Sequence, residues 1–361
     1  MTALGDHKAV EQKTVSVYEE HARAWQLRRP PRRLDDAARF RAAMSPGVVR
    51  ADIGCGAGGY VPALGAQVVA LDAAWSMLEL AAEAAPSAWY VQADLEALPF
   101  RSRGLGGAWS RASYSHIQRV RLPMALADLH RAMAVDSSLY LDVRRGDGEG
   151  PHPGDDFPGR FFAEWQAEPL CDVVAGAGFV VEHVDLEEQW IRIWARRART
   201  LPDTVGPGMR LLVCGLNPSL YAADFGAGYA RPGNRFWPAA RAAGLVERDR
   251  DPVDALVRHG VGMTDLVKRA TTGARELSGA EYRDGAARVE RLVRWLQPGA
   301  VCFVGLAGWR AAVDPDAVAG EQQDGFGGVP AYVMPSTSGA NAHARPDELA
   351  DHLRAAAALS S

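Results

Sequence analysis

The run Leu211-Leu-Val-Cys-Gly-Leu-Asn217-Pro218 lies just past the middle of the 361-residue chain and decides the fold of the second half. The run is apolar until it stops at an Asn-Pro pair, which is typical of a buried strand ending at the carboxyl edge of a parallel sheet. Similar apolar runs recur at AVCFVG (300–305) and AYVMPS (331–336), with helical patterns between them. This alternation predicts a three-layer α/β/α domain over residues 209–361.

The same alternation occupies the first half of the chain and predicts a second three-layer α/β/α domain over residues 1–196. Residues 197–208, which contain Pro and Gly, are interpreted as the linker. The chain is long enough for two domains that each bury their own core. The apolar runs of the first half are VVRADIG (48–54), QVVALD (67–72), AWYVQAD (88–94), LGGAWSR (105–111) and SSLYLDV (137–143).

Charge and composition limit the classes of function. The formal net charge is -4, and the part from residue 209 onward has 17 basic and 17 acidic residues, so DNA binding there requires a local basic face. The four cysteines are far apart without C-x-x-C spacing, which predicts a cytoplasmic protein and no metal site. No apolar run is long enough to span a membrane, and the N-terminus is unlike a signal peptide.

A glycine-rich turn comes after the first apolar run, at Asp52-Ile-Gly54-Cys-Gly56-Ala-Gly58-Gly59. Such a turn lets a ligand approach the backbone where a strand meets a helix, and by itself it also fits a dinucleotide-binding motif. Asp72 ends the second run, where a carboxylate can accept both ribose hydroxyls, and Asp94 comes after the third.

Together, D-x-G-x-G-x-G, A-L-D and D-x-x-x-L-P-F resemble the class I S-adenosylmethionine-dependent methyltransferases of the small-molecule type, over about residues 15–196. The resemblance implies a Rossmann-like fold that closes with antiparallel strands. It implies that the methionine end of S-adenosyl-L-methionine lies along the backbone of Gly54, Gly56 and Gly58, with Asp52 beside them. Asp72 is expected to hold the ribose and Asp94 to meet the adenine edge. The alternative is a Rossmann-type domain that binds nothing or only supports its neighbour.

Two further features of this half leave alternatives open, and the methyl acceptor stays unknown. Residues 110–116 stand where DNA amino-methyltransferases carry a proline-aromatic motif, so methylation of bases in duplex DNA is disfavoured. His116 is either a base at the acceptor site or a solvated surface residue. A basic cluster near the N-terminus consists of Arg28, Arg29, Arg32 and Arg33. There are two interpretations of this cluster: a surface that contacts RNA or an acidic substrate, and a solvated basic turn.

Three more motifs come after Asn217-Pro218 in a fixed order: YARPGNRFW (229–237), GMTDLVKRAT (262–271) and YVMPSTSGAN (332–341). This order strongly resembles the mismatch-specific uracil-DNA glycosylase and thymine-DNA glycosylase family, from about Met209 to Leu359. The resemblance implies a uracil-DNA glycosylase-like fold. It also implies, as partner, double-stranded DNA with a G:U or G:T mismatch, and no cofactor for this domain.

The resemblance implies roles for individual residues. Asn217 would orient the water that attacks the anomeric carbon, and Tyr229 would stack on the extruded base. Arg235, Phe236 and Trp237 would form the wall behind the pocket. The rest of the base pocket would be Leu216, Pro218, Asn234 and Asp265. The loop that contacts phosphates and fills the gap in the duplex would be Pro335, Ser336, Thr337, Ser338, Gly339, Ala340 and Asn341.

This chain departs from the family pattern at several positions. Ser219 replaces a glycine, and Ala340 and Asn341 are small where a bulky or cationic wedge is expected. Asp265 stands where relatives have an amide or a cation, which favours uracil or a protonated cytosine derivative over a carboxylated base. Lys268 lies outside the catalytic motifs, so the sequence predicts a monofunctional glycosylase without a Schiff-base lysine.

The leading hypothesis is a DNA-repair glycosylase that removes uracil, thymine or a damaged pyrimidine opposite guanine, fused to a methyltransferase domain of unknown acceptor. One rival hypothesis is a methyltransferase whose second domain is a degenerate module that binds nucleic acid or a partner. A second rival is a scaffold in which neither site works.

Overall fold

The computed structural model describes residues 3–339 and 345–360, with side chains from residue 12 onward. The chain divides into two compact units: Met1–Val174 with Phe179–Ala198, and Ala175–Gly178 with Arg199–Ser361. No helix within the described residues is long and apolar enough to cross a membrane.

A seven-stranded sheet forms the centre of the first unit, in the order β3-β2-β1-β4-β5-β9-β8. The first five strands in this order are mutually parallel, whereas β9 is antiparallel to β5 and to β8. A separate antiparallel ribbon joins β6 to β7. The strands are β1 (Arg50–Ile53), β2 (Val68–Asp72), β3 (Trp89–Gln92), β4 (Leu105–Arg111), β5 (Met133–Arg144), β6 (Glu149–Pro151), β7 (Phe161–Ala163), β8 (Phe179–Leu186) and β9 (Trp190–Arg197).

Helices connect these strands and bury the apolar faces of the sheet. Phe40 of α2 packs against Trp109 of β4, and Trp109 stacks on Tyr140 of β5 with 3.8 Å between ring centroids. Helix α1 packs on α4 through a second apolar cluster that contains Ala22 and Met77. The helices are α1 (Ala3–Arg28), α2 (Leu34–Ala42), α3 (Val61–Leu64), α4 (Trp75–Ala84), α5 (Leu122–Ala132) and α6 (Ala167–Gly176).

The second unit is built on a five-stranded sheet in the order β11-β10-β12-β14-β13, parallel except for the edge strand β13. Its strands are β10 (Leu211–Gly215), β11 (Val261–Asp265), β12 (Ala300–Val304), β13 (Gly320–Phe326) and β14 (Val329–Met334). Its helices are α7 (Leu220–Phe225), α8 (Phe236–Ala242), α9 (Pro252–His259), α10 (Gly279–Leu296), α11 (Leu306–Ala312) and α12 (Pro346–Ala358).

Both faces of this sheet are covered, which explains why its strands read as continuous apolar runs. Leu211 and Val213 of β10 belong to a cluster with residues of α8 and α12. On β12, Phe303 instead contacts Trp309 of α11, with ring centroids 4.7 Å apart. Both units are therefore α/β folds with helices against a largely parallel sheet, and this prediction from the sequence is confirmed.

Residues 197–208, interpreted as a linker, are mostly packed rather than extended in solvent. Leu201 and Val205 are buried, and Thr204 pairs with Met263 of β11 through backbone hydrogen bonds in both directions at 2.8 Å. Apolar side chains in a short Pro- and Gly-containing stretch thus add to the core of the second unit.

In each sheet the strand order reverses beside the first strand, between β1 and β4 and between β10 and β12. Crevices form at the carboxyl ends of parallel strands where the order reverses. The topology therefore places one candidate site after β1 and another after β10, where the glycine-rich turn and Asn217 lie.

Candidate functional sites

A cleft of about 270 Å³ in the second unit lies where β10, β11 and β12 end, at Gly215, Asp265 and Val304. Asn217 lines this cleft together with every residue of the predicted base pocket, namely Leu216, Pro218, Tyr229, Asn234 and Asp265. From the predicted DNA loop, the lining includes Ser336, Thr337 and Ser338. The structure brings these residues together, although more than 100 positions of sequence separate Asn217 from Ser336.

The Asn217 side chain is held by its amide nitrogen. The two N–H groups of Nδ2 share three acceptors: Thr271 Oγ1 at 2.8 Å, Arg269 O at 3.0 Å and Pro218 O at 3.1 Å. These acceptors fix which end of the amide is the donor end, and within the described residues no group pairs with Oδ1. An amide oxygen accepts a hydrogen bond without being a strong base, so this group is suited to holding a water molecule.

Thr271 is the residue that sequence reasoning missed in this site. Its side chain is 3% exposed, and Oγ1 donates to Gly273 O at 3.0 Å while it accepts from Asn217. Its backbone N–H donates to Pro218 O at 3.1 Å, so it binds both the main chain and the side chain of the Asn-Pro pair. The only signal in the sequence was a hydroxyl residue at the end of the 262–271 motif.

Tyr229 belongs to an ordered aromatic wall. Its ring stacks on Phe236 with centroids 4.2 Å apart, and Phe236 meets Trp237 edge to face at 5.4 Å. Trp237 Nε1 donates to Gly228 O at 2.8 Å, which fixes the indole. The Tyr229 hydroxyl is buried and has no hydrogen-bond partner among the described residues, and burial raises the pKa of Tyr229 far above its ordinary value.

Gly215 allows two polar side chains to converge at the end of β10. A Cβ atom on Gly215 would lie 2.4 Å from Asp265 Oδ1 and 2.9 Å from the Tyr229 hydroxyl oxygen. A larger residue at this position would therefore displace both groups. Burial raises the pKa of Asp265 to about 6, with Asp203 adding to the rise and Lys268 and Arg288 opposing it.

Lys268 belongs to a buried ion network behind the cleft. Its Nζ lies 2.8 Å from Asp203 Oδ1, and Arg288 donates to Asp203 Oδ2 at 2.7 Å. Thr264 donates to the same carboxylate at 2.6 Å. Although burial opposes ionisation, Arg288 and Lys268 hold the pKa of Asp203 below its ordinary value. Lys268 therefore acts as a counter-ion in this structure.

Short polar side chains start the helices around the cleft. Ser219, found where the family has glycine, accepts from Ala222 N at 3.1 Å and caps α7. Asn234 Oδ1 accepts from Phe236 N at 2.9 Å at the start of α8. The carbonyl oxygen of Thr337 accepts from Arg235 N at 3.0 Å, which anchors the 335–339 loop. Pro335 and Gly339 do not line the cleft, and Ala340 and Asn341 lie outside the described residues.

The first unit has a cavity of about 190 Å³ at the predicted cofactor site. The lining contains Asp52, Gly54, Gly56, Asp72 and Asp94. Gly58 is not among the lining residues, because it faces α4, where a Cβ atom would lie 2.8 Å from Ala81 Cα.

Two carboxylates in this cavity differ in how they are held. Asp72 accepts from Gly56 N at 2.8 Å and from Ala74 N at 3.0 Å, so the main chain fixes its position after β2. Asp52 is buried, and its Oδ2 has no hydrogen-bond partner among the described residues. Burial and the nearby charge of Asp72 raise the pKa of Asp52 to about 8. Asp94 is exposed and accepts from Glu96 N at 2.9 Å.

Two family models match this chain, over separate ranges of residues. Residues 202–359 match the model of the uracil DNA glycosylase superfamily, and residues 51–141 match the model of a methyltransferase domain. The chain therefore contains a domain of each kind.

Solved structures similar to this chain include methyltransferases. An S-adenosylmethionine-dependent methyltransferase from Mesorhizobium loti is 19% identical over 45% of this chain and 100% of its own length, with a TM-score of 0.38. The 1,6-didemethyltoxoflavin-N1-methyltransferase of Burkholderia thailandensis is 20% identical over 55% of this chain and 92% of its own, with a TM-score of 0.44. Geranyl diphosphate C-methyltransferase from Streptomyces coelicolor is 12% identical over 46% of this chain and 76% of its own, with a TM-score of 0.38.

Proposed function

We propose that the chain is a DNA-repair glycosylase that hydrolyses the N-glycosidic bond of uracil mispaired with guanine, and that thymine or a damaged pyrimidine in that position is also a substrate. The observation that carries this proposal is the Asn217 amide, which lines the cleft while its N–H groups are bound to protein acceptors. The proposed partner is double-stranded DNA with a G:U or G:T mismatch. The proposed location is the cytoplasm, where the four free cysteines stay reduced.

The chemistry of base excision suits this arrangement. An enzyme reaches a base in a duplex only by rotating it out of the stack, which costs a few kcal/mol and least for a mispaired base. Breaking the glycosidic bond develops oxocarbenium character in the sugar and negative charge on the departing base. Such a reaction needs a positioned water more than a strong base, and the Asn217 oxygen supplies the position. Tyr229 supplies a fixed aromatic surface for the extruded base.

Asp265 is proposed to select the base. When ionised, its carboxylate accepts an N–H group of the base edge and repels a second carboxylate. Uracil, which has an N–H between its two carbonyl groups, fits this acceptor, whereas carboxylated cytosine is rejected. Excision of carboxylated cytosine at a rate above that of uracil contradicts this selection.

The glycosylase is proposed to be monofunctional and to need no cofactor. A Schiff-base lysine must be an uncharged nucleophile in the pocket. Lys268 does not line the cleft, and its Nζ instead pairs with the buried carboxylate of Asp203 at 2.8 Å. Hydrolysis should therefore leave an intact abasic strand that breaks only after treatment with alkali.

The test uses a duplex with one G:U pair, incubated with the full chain and then treated with alkali. We expect strand breaks with the wild type and a loss of about 10²- to 10⁴-fold in Asn217→Ala, because the water is no longer positioned. Gln323→Ala serves as the control, since Gln323 is an exposed amide on the edge strand β13. An intact strand with the wild-type protein would instead favour a degenerate nucleic-acid or partner-binding module.

The first unit is proposed to bind S-adenosyl-L-methionine and to transfer its methyl group to an acceptor. The residues of the cavity fit this cofactor: the unpartnered Asp52 Oδ2 can accept from an ammonium group, and Gly56 leaves space that a Cβ atom would take, 3.2 Å from Trp25. Asp72 and Asp94 would hold the ribose and the adenine edge. When bound, the cofactor supplies an electrophilic methyl group.

Calorimetric titration of the full chain with S-adenosylmethionine tests this second activity. We expect saturable heat with the wild type and a large loss of affinity in Asp72→Ala, because the fixed carboxylate is removed. No heat with the wild type, together with no base excision, would support the view that the chain is a scaffold.

A further inference from the structure

A second recess adjoins the cofactor cavity of the first unit and has a volume of about 520 Å³. This volume is in the range of pockets that bind small molecules. The two spaces adjoin, since seven residues line both: Tyr18, Trp25, Cys55, Tyr60, Arg111, Ala112 and His116. We call this second space the arginine recess, after the arginines in its lining: Arg28, Arg29, Arg32, Arg111, Arg144 and Arg160.

Only some of these arginines form ion pairs with carboxylates. Asp155 pairs with Arg160, and Asp156 pairs with Arg29 at 2.6 Å; these are the two carboxylates in the lining. Arg28 and Arg32 form no ion pair with any described residue, although Arg28 lies over the Phe157 ring at 5.3 Å. The recess therefore retains positive charge after its internal pairs are formed.

Arg111 and Arg144 have only loose ion pairs. Arg111 Nε lies 3.4 Å from Asp142 behind it and is buried without a hydrogen-bond partner among the described residues. Arg144 Nε lies 3.4 Å from Glu164, while its second amino nitrogen donates to His152 Nε2 at 2.9 Å. A planar guanidinium with unused N–H groups is the protein group that best matches a carboxylate or a phosphate.

Aromatic rings hold these two guanidinium groups in place. Arg111 lies over the Tyr60 ring at 5.4 Å and over Trp190 at 5.7 Å. Arg144 lies over the Phe162 ring at 5.3 Å and over Trp190 at 5.8 Å. Stacking of this kind restricts the side chains before a ligand arrives, and it also provides an apolar surface for the body of a ligand.

A hydrogen-bonded pair stands where the recess meets the cavity. His116 Nδ1 donates to Phe161 O at 2.7 Å, so Nε2 is left to accept from the Tyr18 hydroxyl at 2.8 Å. Arg160 donates to the same hydroxyl oxygen at 2.9 Å. Burial lowers the pKa of His116 to about 4, which keeps the imidazole neutral. His116 is thus a half-buried imidazole with both ring nitrogens hydrogen-bonded, rather than a solvated surface residue.

We propose that the arginine recess is the methyl-acceptor site of the first unit, and that the acceptor is a small molecule with an oxyanion group, either carboxylate or phosphate. This inference rests on the proposed binding of S-adenosyl-L-methionine in the adjoining cavity. The arginines hold the oxyanion, the rings contact the body of the acceptor, and the Tyr18 hydroxyl oxygen accepts from its nucleophilic hydroxyl or amino group. The nucleophile would form a bond to the methyl carbon as the sulfonium C–S bond of the cofactor breaks, which would leave S-adenosylhomocysteine. The nucleophile's proton would pass to the Tyr18 oxygen as Tyr18 gives its own proton to His116 Nε2. A recess of about 520 Å³ matches the size of a small molecule better than that of a nucleic-acid strand.

The test is calorimetric titration of the full chain, first with S-adenosylhomocysteine and then, in its presence, with three probes of similar shape. Phenyl phosphate and benzoate carry the two kinds of oxyanion, and benzyl alcohol is the neutral counterpart. We expect at least one anion to bind and benzyl alcohol to bind at least about tenfold more weakly, since a charge-assisted hydrogen bond contributes that much. The stronger anion identifies which oxyanion the acceptor carries.

Variants separate the recess from the cofactor cavity. Arg144→Gln and Arg32→Gln lie in the recess only, so each should weaken the anion about tenfold and leave the affinity for S-adenosylhomocysteine unchanged. The matched control is Arg23→Gln, because Arg23 is an exposed arginine of α1 outside the recess that pairs with Glu83 at 3.1 Å. An unchanged far-ultraviolet circular dichroism spectrum shows that each variant is folded.

Several outcomes overturn the inference. Equal affinity for benzyl alcohol and the anions refutes recognition of charge, and so does wild-type affinity in both recess variants. Binding of a 12-nucleotide RNA by a chain that ignores both small anions shows that the basic cluster serves nucleic acid. If S-adenosylhomocysteine itself fails to bind, the cofactor proposal fails and the acceptor assignment fails with it. If only the anions fail, the acceptor class alone is wrong.

Discussion

The hydroxyl group of Thr271 offers a sharp test of how the Asn217 amide is held. Thr271→Val keeps the branched shape of the side chain and removes an oxygen that accepts from Asn217 Nδ2 at 2.8 Å and donates to Gly273 O at 3.0 Å. Thr271 is 3% exposed, so a water molecule has little room to replace that oxygen.

The size of the effect depends on the contacts that remain. Asn217 keeps two backbone acceptors, at Arg269 and Pro218, so the amide loses one of three partners. One hydrogen bond between neutral groups contributes about 0.5–1.5 kcal/mol, which corresponds to a slowing of about 2- to 10-fold if all of it positions the water. The Gly273 carbonyl keeps the Glu276 N–H as a donor at 3.1 Å and belongs to an exposed residue, so the free energy of unfolding should fall by only about 1 kcal/mol.

The assay is single-turnover excision from a G:U duplex with enzyme in excess, at a temperature where all variants are folded. Thr271→Ser is the matched control, because serine keeps the oxygen and removes only the methyl group. We expect Thr271→Val to be slow and Thr271→Ser to be close to the wild type. Equal rates for Thr271→Val and the wild type, or an equally slow Thr271→Ser, would refute the positioning role.

Three further predictions concern groups around the two sites. Burial raises the pKa of Asp265 to about 6, so single-turnover uracil excision by the wild type should slow as the pH falls below about 6. Asp265→Asn should remove this pH dependence. A pH profile of Asp265→Asn identical to that of the wild type would exclude Asp265 from base recognition. Asp203→Asn should lower the free energy of unfolding, measured in urea, by about 3–5 kcal/mol, since Lys268 and Arg288 lose a buried counter-charge. A decrease below about 1 kcal/mol, which is the contribution of a surface ion pair, would contradict this. The lowered pKa of Asp203 means that its stabilisation is present above the unfolded-state pKa and is lost as the pH falls through the folded-state pKa. Gly58→Ala should lower the free energy of unfolding by about 1–3 kcal/mol, because the new Cβ would lie 2.8 Å from Ala81 Cα. A melting temperature equal to that of the wild type would show that α4 moves to accommodate the Cβ atom at little cost.

The fold class could be predicted from the sequence because buried parallel strands produce an unmistakable pattern. Leu211–Gly215 is buried at every position, as an apolar run without alternation indicates. The closing pair β8 and β9 was expected from the resemblance, and both strands are antiparallel to their neighbours. Strand order could not be read from such runs, since it depends on how the chain crosses the sheet.

The motifs of the second unit could be grouped because each comes after a strand or begins a helix. Asn217, Asp265 and Ser336 lie at or just after the ends of β10, β11 and β14, and the carboxyl ends of these parallel strands share one edge of the sheet. The sequence therefore indicated which residues would meet, and the structure adds how they are held.

Contacts between segments that are distant in the sequence could not be predicted from sequence patterns. Asp203 lies in a stretch that reads as a linker, yet its carboxylate binds Arg288, 85 positions further on. Tyr18 of α1 likewise meets His116 across 98 positions. Neither pair has a periodic or motif signal, because a hydrogen bond between single side chains leaves no local pattern.

The most direct test of water positioning by Asn217 is a crystal structure of the full chain bound to a duplex with a non-cleavable uracil nucleotide opposite guanine. We predict an extruded uracil beside Tyr229 and an ordered water about 3 Å from Asn217 Oδ1, facing the anomeric carbon. A complex in which the Asn217 amide contacts only protein, with no water between it and the sugar, would contradict this role of Asn217.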